Sequence, residues 1–168
     1  MIDEVKTITV PYILSNSAQK AYEKIKELIM RIFDLLKKEK NQNNLKEEFY
    51  DSYIDFTRKL DKEGHAKESD NYMSICDMYY DLMDRPDVLI AHEKFFKDLF
   101  DAFDNLLHIK INAPEKYGQK YKKFMLYRGK MQEYYYTKLA TTSKFYNKKT
   151  CKEIISHLAE DYKIDFKT

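Results

Sequence analysis

Glycine and proline are almost absent, and this constrains the fold more than any other feature of the sequence. The 168 residues include only 3 Gly and 3 Pro. Because these two residue types interrupt helices and strands, a chain with so few of them favours long helices joined by short connections. The 10 Phe and 15 Tyr supply buriable surface, and the length suits one domain with a sizeable core. The sequence therefore predicts an all-α, single-domain helical bundle.

Apolar residues recur at helical spacing in five or six segments. The predicted helices span about 18–40, 45–63, 70–84, 86–109, 119–140 and 150–162. Their predicted boundary residues are Ser15, Asn16 or Ser17, Asn44, Gly64, Ser69 or Asp70, and Pro86. Residues 1–16 are predicted to form a short extended segment, because β-branched residues surround Pro11. Short connections predict an up-and-down arrangement.

The inward faces of these helices follow from the same spacing. On the first helix the predicted inward residues are Ala21, Ile25, Leu28, Ile29, Ile32, Phe33 and Leu36. On the second they are Phe49, Tyr50, Tyr53, Ile54, Phe56 and Leu60, and on the third Tyr72, Met73, Ile75, Cys76, Tyr79 and Met83. The fourth contributes Val88, Leu89, His92, Phe95, Phe96, Leu99, Phe103 and Leu106. These residues are the predicted core.

Cysteine usage and hydropathy indicate a cytoplasmic protein. Cys76 and Cys151 lie far apart in apolar segments, which predicts buried free thiols in a reducing compartment. No segment approaches the roughly 18 apolar residues of a membrane span. The first ten residues lack the basic and apolar regions of a signal peptide, so we expect no membrane partner.

The sequence carries no recognisable catalytic or metal-binding motif. The 4 His are not paired at the spacing of a helical metal site, and neither a glycine-rich phosphate loop nor a local nucleophile signature occurs. Asp77, Asp81 and Asp84 share a helix face that could hold Mg²⁺, but it lies opposite the apolar residues and is predicted to be solvated. We therefore predict no cofactor, no metal ligand and no catalytic residue.

Positive charge is concentrated in one quarter of the chain. Residues 113–152 contain 11 Lys or Arg and only Glu115 and Glu133, a net charge of +9. The preceding 112 residues carry a net charge of −5. This asymmetry marks residues 113–152 as a basic, tyrosine-rich part of the domain, and it directs attention to its helix.

Turning the predicted basic helix by about 100° per residue separates two faces. Tyr121, Phe124, Met125, Met131, Tyr135 and Leu139 form the predicted core face. The opposite direction holds the lysine–tyrosine stripe, which comprises Lys120, Lys123, Tyr127, Lys130, Tyr134 and Lys138. Lys144, Lys148, Lys149 and Lys152 extend the positive charge beyond the helix.

The stripe has two interpretations. Lysines and tyrosines can simply solvate a helix face. A row of ammonium groups with interleaved aromatic rings also suits a phosphate backbone with stacking bases, or an acidic protein surface. We take the second as the functional hypothesis: a non-catalytic binding protein for nucleic acid or for an acidic or nucleic-acid-binding partner. A phage- or mobile-element-encoded inhibitor or adaptor, with a possible homo-oligomer, fits this hypothesis.

Two further side chains are ambiguous at this stage. The wheel places Arg128 on the core face, where it needs a carboxylate or carbonyl partner, or forms the floor of a pocket for an anion. His92 lies on an apolar face, which is typical of a hydrogen-bonded core histidine and leaves a catalytic role open.

The segment "RPDVLIAH" has six residues between Arg85 and His92, and "RKLDKEGH" has six between Arg58 and His65. This spacing resembles that of the HEPN family, helical bundles that include ribonucleases. The resemblance implies an alternative function, in which a dimer brings two Arg–His pairs together to cleave RNA.

Overall fold

The computed structural model describes residues 14–38 and 43–134, which contain six helices and no strand. The helices are α1 (Asn16–Lys37), α2 (Asn43–Lys62), α3 (Ala66–Leu82), α4 (Pro86–Ala91), α5 (Glu93–Asn112) and α6 (Pro114–Tyr134). The all-α prediction is confirmed. The predicted helix at 150–162 and the first 13 residues of the predicted extended segment lie outside the described residues, and Asn16 already belongs to α1.

Two layers of aromatic rings hold the bundle together, and each layer takes one ring from α1, α2, α3 and α5. The first layer consists of Tyr22, Phe56, Tyr72 and Phe103, with ring centroids 4.7–6.3 Å apart for the contacting pairs. The second consists of Phe33, Phe49, Tyr79 and Phe96, with Tyr79 5.1–5.4 Å from the other three rings. Rings packed edge-to-face or tilted bury large apolar area in favourable geometry.

The chain order of the layers gives the direction of each helix. Along α1 and α3 the first-layer residue precedes the second-layer residue, whereas along α2 and α5 the order is reversed. Neighbouring helices of the core are therefore antiparallel, as an up-and-down bundle requires. α6 packs outside this core against α5 and α3. No helix in the described ranges is long and apolar enough to cross a membrane.

Several predicted boundaries are confirmed. The Ser15 hydroxyl accepts a hydrogen bond from the Ala18 N–H at 3.1 Å and caps α1. Gly64 follows the end of α2 with φ of 84°, a left-handed conformation that favours glycine. Glu63 connects the start of α1 to the end of α2. Its carboxylate accepts hydrogen bonds from the Ser15 N–H at 2.8 Å and from the Ser15 hydroxyl at 2.6 Å. Cys76 is a buried free thiol, as predicted.

The start of α3 was predicted wrongly. The helix begins at Ala66, so neither Ser69 nor Asp70 is its cap. The Ser69 hydroxyl instead donates to the Thr57 carbonyl of α2 at 3.0 Å, in a buried contact between the two helices. Because a polar residue can serve an interhelical bond as well as a cap, its type alone did not fix the boundary.

The predicted fourth helix is divided at His92 into α4 and α5. The imidazole Nδ1 lies 2.8 Å from the Val88 carbonyl and donates to it, so a side chain enters the hydrogen-bond ladder at this point. α6 begins at Pro114, five residues before the predicted start, because Pro fits the first turn of a helix.

Two side chains differ from their predicted exposure. Tyr50 was predicted to face the core but is 43% exposed, because its ring covers the edge of the α2–α3 contact, 5.3 Å from the rings of Tyr53 and Tyr80. Asp77 was predicted to be solvated but is half-buried, because its carboxylate accepts a hydrogen bond from the Tyr53 hydroxyl at 2.7 Å. Asp81 and Asp84 are exposed, as predicted.

The buried Tyr72 hydroxyl leads to a testable expectation, because within the described residues it has no oxygen or nitrogen partner and lies against the Cys76 thiol, which is a weak hydrogen-bond partner. We expect Tyr72→Phe to leave the free energy of unfolding unchanged or to raise it by up to about 1 kcal/mol, since a weakly paired polar group is removed from the core. Tyr22→Phe is the matched control: it removes a 2.8 Å hydrogen bond to Asp104 and should cost about 1 kcal/mol. Urea unfolding measures both; a clear loss of stability in Tyr72→Phe would show that its hydroxyl is paired.

Candidate nucleic-acid interface

One face of α6 is attached to the bundle by aromatic side chains. Phe124 is buried, with its ring centroid 6.4 Å from that of Phe103 in the first aromatic layer. Tyr117 and Tyr121 are half-buried and stack on each other, with centroids 5.5 Å apart and an interplanar angle of 29°. The Lys67 ammonium of α3 lies 5.5 Å from the centroid of the Tyr121 ring, in cation–π geometry. These contacts fix the rotation of α6 about its axis.

A fully buried carboxylate joins α3, α5 and α6 beside these rings. Glu68 of α3 is 0% exposed. One oxygen accepts a hydrogen bond from the Lys110 ammonium at the end of α5, at 2.8 Å, and the other accepts one from the Tyr117 hydroxyl of α6. The Lys110 ammonium also lies 3.2 Å from Nδ1 of His65, to which it can donate. We call Glu68, Lys110, Tyr117 and His65 the junction cluster.

The junction cluster keeps Glu68 ionised in spite of its burial. Burial alone would raise the pKa of this carboxyl, because it disfavours the charged form. The hydrogen bonds from Lys110 and Tyr117 and the positive charge of Lys110 outweigh it, and the pKa of Glu68 is lowered. The Tyr117 pKa is raised by burial and by the bond to Glu68, so this tyrosine stays neutral and remains the donor.

The outward face of α6 carries exposed lysines. Lys116, Lys122 and Lys123 are exposed, and none of their side chains makes an ion pair or hydrogen bond within residues 14–38 and 43–134. Lys116, Lys120 and Lys123 follow one another at spacings of four and three, so they lie on the same side of the helix. Lys120 is half-buried, since it is the member of this row nearest to the docked face.

Lysines elsewhere in the bundle are more often matched with carboxylates. The described ion pairs of the other helices include Lys26–Asp104, Lys37–Glu93, Lys46–Asp84, Lys59–Asp55, Lys94–Asp98 and Lys97–Glu93, at 2.6–3.5 Å. Such surface pairs contribute little to stability, but they neutralise the local field. By contrast, the exposed side chains of Lys116, Lys122 and Lys123 on α6 have no carboxylate partner among the described residues.

The described residues contain only part of the predicted stripe. Lys123 is exposed, whereas Lys120 lies one turn from Phe124 and is half-buried, so the structure brings only Lys123 of these two fully to the outward face. The backbone of α6 also includes Tyr127, Lys130 and Tyr134. Lys138, Lys144, Lys148 and Lys149 lie outside the described residues, so their part in the site stays a prediction. Lys116 and Lys122 were not predicted, because the helix was expected to begin at residue 119 and Lys122 lies on a different side.

Arg128 lies on the docked side of α6, as the helical wheel predicts. It is half-buried, and its Nε atom is buried with no hydrogen-bond partner in the part of the chain that the structure describes. Burial lowers the pKa of this guanidinium, whereas Tyr121 and Asp70 act in the opposite direction. Asp70 therefore supplies the negative charge near Arg128, which favours the interpretation as an arginine of the α3–α6 contact.

His92 has the geometry of a core histidine. It is 1% exposed, its Nδ1 donates to the Val88 carbonyl, and its Nε2 is buried with no partner among residues 14–38 and 43–134. Burial lowers its pKa, so the ring is neutral. The alternative of a HEPN-like ribonuclease with Arg85 stays a prediction, and an imidazole enclosed in this way does not support it.

The described residues contain no metal centre that would compete with α6 as the candidate site. Among the residues that the structure describes, no three His, Cys, Asp or Glu side chains converge as metal ligands. Comparisons with models of known protein families, with curated proteins and with solved structures gave no match.

Proposed function

We propose that the protein is a non-catalytic nucleic-acid-binding protein and that it contacts the phosphate backbone with the outward face of α6. The observation that carries the proposal is the row of exposed lysines at Lys116 and Lys123, which have no carboxylate partner in the described residues. Unpaired ammonium groups release counterions from phosphates when they bind, and this supplies sequence-independent affinity.

A rigid support for this face strengthens the proposal. α6 is attached along its other side by Phe124, by the stacked pair of tyrosines and by the junction cluster. A preformed surface loses less conformational entropy on binding than a mobile one, so more of the electrostatic free energy appears as affinity. Tyr127 and Tyr134 lie on the same helix, and stacking of bases on them is part of the hypothesis.

The proposed setting is the cytoplasm, where nucleic acids are accessible and a buried free thiol such as Cys76 stays reduced. A homo-oligomer and an origin in a phage or mobile element remain part of the hypothesis. The second candidate, an acidic protein surface as the partner, would use the same lysines.

Charge reversal of the exposed row tests the proposal. We expect Lys116→Glu combined with Lys123→Glu to weaken binding of a fluorescein-labelled single-stranded oligonucleotide by about tenfold or more at low salt. The dependence of log affinity on log salt concentration should become shallower by about 0.7 per lost phosphate contact, because fewer counterions are released. Fluorescence anisotropy at several salt concentrations measures both quantities.

The matched control changes the net charge equally on α1. Lys20→Glu combined with Arg31→Glu alters two exposed side chains that make no ion pair within the described ranges, and it should change the affinity by less than about threefold. Equal losses in both double variants would mean that only net charge matters and would reject a specific face. Absence of oligonucleotide binding, with capture of an acidic protein that the α6 variant loses, would establish the second candidate instead.

A further inference from the structure

A second surface lies between α1 and α2, on helices other than those that hold α6. It is a groove of about 310 Å³ lined by Ala21 and Lys24 of α1 and by Glu48, Asp51, Ser52 and Asp55 of α2. The four α2 residues are three, four and seven positions apart, so they share one side of the helix. The small side chain of Ala21 leaves space opposite them. The lining carries three carboxylates and one ammonium, and Lys59 of α2 pairs with Asp55, so the groove keeps a formal charge of −1.

Two hydrogen-bonding groups on the wall of this groove are unused. Asp51 is exposed and makes no ion pair or hydrogen bond within the described part of the chain. Ser52 is only 8% exposed, and its hydroxyl likewise has no hydrogen-bond partner there. The hydroxyls of Ser74 and Thr57, by contrast, donate to carbonyls of their own helices at 3.1 and 2.8 Å. A nearly buried serine that lines the groove and whose hydroxyl has no partner in the described residues is suited, with the exposed carboxylate beside it, to a ligand that donates hydrogen bonds.

Both ends of the groove already have a lysine partner in an exposed ion pair, and the Lys59 ammonium bonds both Asp55 oxygens, at 2.7 and 2.8 Å. An incoming ammonium group would replace these lysines, which is feasible because exposed pairs contribute little to stability. Glu48 is 3.9 Å from the Lys24 ammonium, which is the long limit of an ion pair, with both side chains largely exposed. Asp55 is paired more closely, with Lys59 at 2.7 Å one turn away on the same helix. Glu48 and Asp55 are seven residues apart, so about 10 Å of helix separates the two acidic ends. The ligand should therefore be elongated and positively charged at more than one point.

We propose that this groove binds a linear polyamine, with its terminal ammonium groups near Glu48 and Asp55 and its central amine against Asp51 and Ser52. An extended triamine can span the two ends, whereas a four-carbon diamine cannot. Primary and secondary ammonium groups donate several hydrogen bonds to carboxylates and hydroxyls, and charge-assisted bonds of this kind are the strong ones. The site does not depend on the nucleic-acid face.

Calorimetric titration of the nucleic-acid-free protein with spermidine tests this inference. We expect saturable 1:1 binding that Asp51→Asn weakens by about tenfold and Ser52→Ala by about threefold, because each loses a hydrogen bond to the ligand. Putrescine should bind more weakly than spermidine. Asp61→Asn is the matched control, since it removes the same charge from an exposed position of α2 outside the groove, and its effect should stay within about twofold.

Three other outcomes would overturn the assignment of a polyamine to this groove. Equal loss in Asp51→Asn and Asp61→Asn would mean that spermidine only screens surface charge. Displacement of spermidine by Mg²⁺ at equal ionic strength would mean the same. Tighter binding of a blocked trilysine peptide, with the same response to Asp51→Asn, would identify the occupant as lysine side chains of a partner rather than a free polyamine.

Discussion

Replacing Lys110 with methionine is expected to lower the free energy of unfolding by about 3 kcal/mol. The substitution removes the ammonium that lies 2.8 Å from Glu68 and leaves a carboxylate that is 0% exposed with Tyr117 as its remaining hydrogen-bond donor from another helix. A buried charge without its counterion is one of the few causes of large single-substitution losses. Urea unfolding followed by circular dichroism measures the change.

Lys94→Met supplies the control on the same helix. Lys94 pairs with Asp98 at 2.9 Å, but its side chain is 83% exposed, so loss of this pair should cost less than about 0.5 kcal/mol. Combining Lys110→Met with Glu68→Gln should recover part of the stability, because a neutral amide can still accept the Tyr117 hydrogen bond. Similar small losses in Lys110→Met and Lys94→Met would contradict the structural role assigned to the junction cluster.

The contribution of Glu68 to the free energy of unfolding should change with pH in opposite directions in Lys110→Met and in the parent protein. In the parent the Glu68 pKa is lowered, so its contribution to stability is present above the range where an ordinary glutamate titrates and is lost as the pH falls through the lowered value. In Lys110→Met the burial of Glu68 dominates and should raise its pKa. Protonation of Glu68 at lower pH should therefore remove part of the loss of stability in this variant. The stability deficit of Lys110→Met should therefore be larger at about pH 7.5 than at about pH 5.

Loss of the junction cluster should also affect the proposed binding face. Tyr117 connects α6 to Glu68, so weakening this contact should increase hydrogen exchange in residues 114–134 before the core helices are affected. Weaker oligonucleotide binding by Lys110→Met at a pH where the bundle is still folded would then follow from the loosened support. The loss of one positive charge at residue 110 must be compared with Lys94→Met, which removes the same charge.

Most of the fold was predictable because it depends on local pattern. Scarcity of glycine and proline, together with apolar spacing, was sufficient for the main helices and for seven of the eight rings in the two aromatic layers. The missed ring is Tyr22, whose hydroxyl is bonded to Asp104, 82 residues away. The division at His92 was also missed, because it depends on the rotamer of one side chain that donates to Val88.

The candidate site was less predictable, since its decisive contacts are long-range. Helical periodicity assigns a charged residue to the solvent, so it gave no reason to bury Glu68 at the start of α3. Its partners Lys110 and Tyr117 lie 42 and 49 residues away and belong to different helices. The wheel separated the docked side of α6 from the side of Lys123, but it could not show which lysines already have carboxylate neighbours. That distinction required the packed bundle.

Replacing Tyr79 with alanine is expected to cost about 4 kcal/mol of unfolding free energy. Tyr79 is fully buried at the centre of the second aromatic layer, and its hydroxyl donates to the Ile29 carbonyl of α1 at 2.9 Å. The substitution removes contacts with Phe33, Phe49 and Phe96 together and leaves a cavity between four helices. In a protein of this length a change of that size lowers the melting temperature by about 8–16 °C.

Graded substitutions keep this expectation testable if Tyr79→Ala does not fold. Tyr79→Phe removes only the hydroxyl and should cost about 1 kcal/mol. Tyr50→Ala is the matched control, because the Tyr50 ring lies at the edge of α2 and α3 and is 43% exposed, so its loss should cost less than about 1.5 kcal/mol. If Tyr50→Ala destabilised the protein as much as Tyr79→Ala, the second aromatic layer would not be the centre of the core.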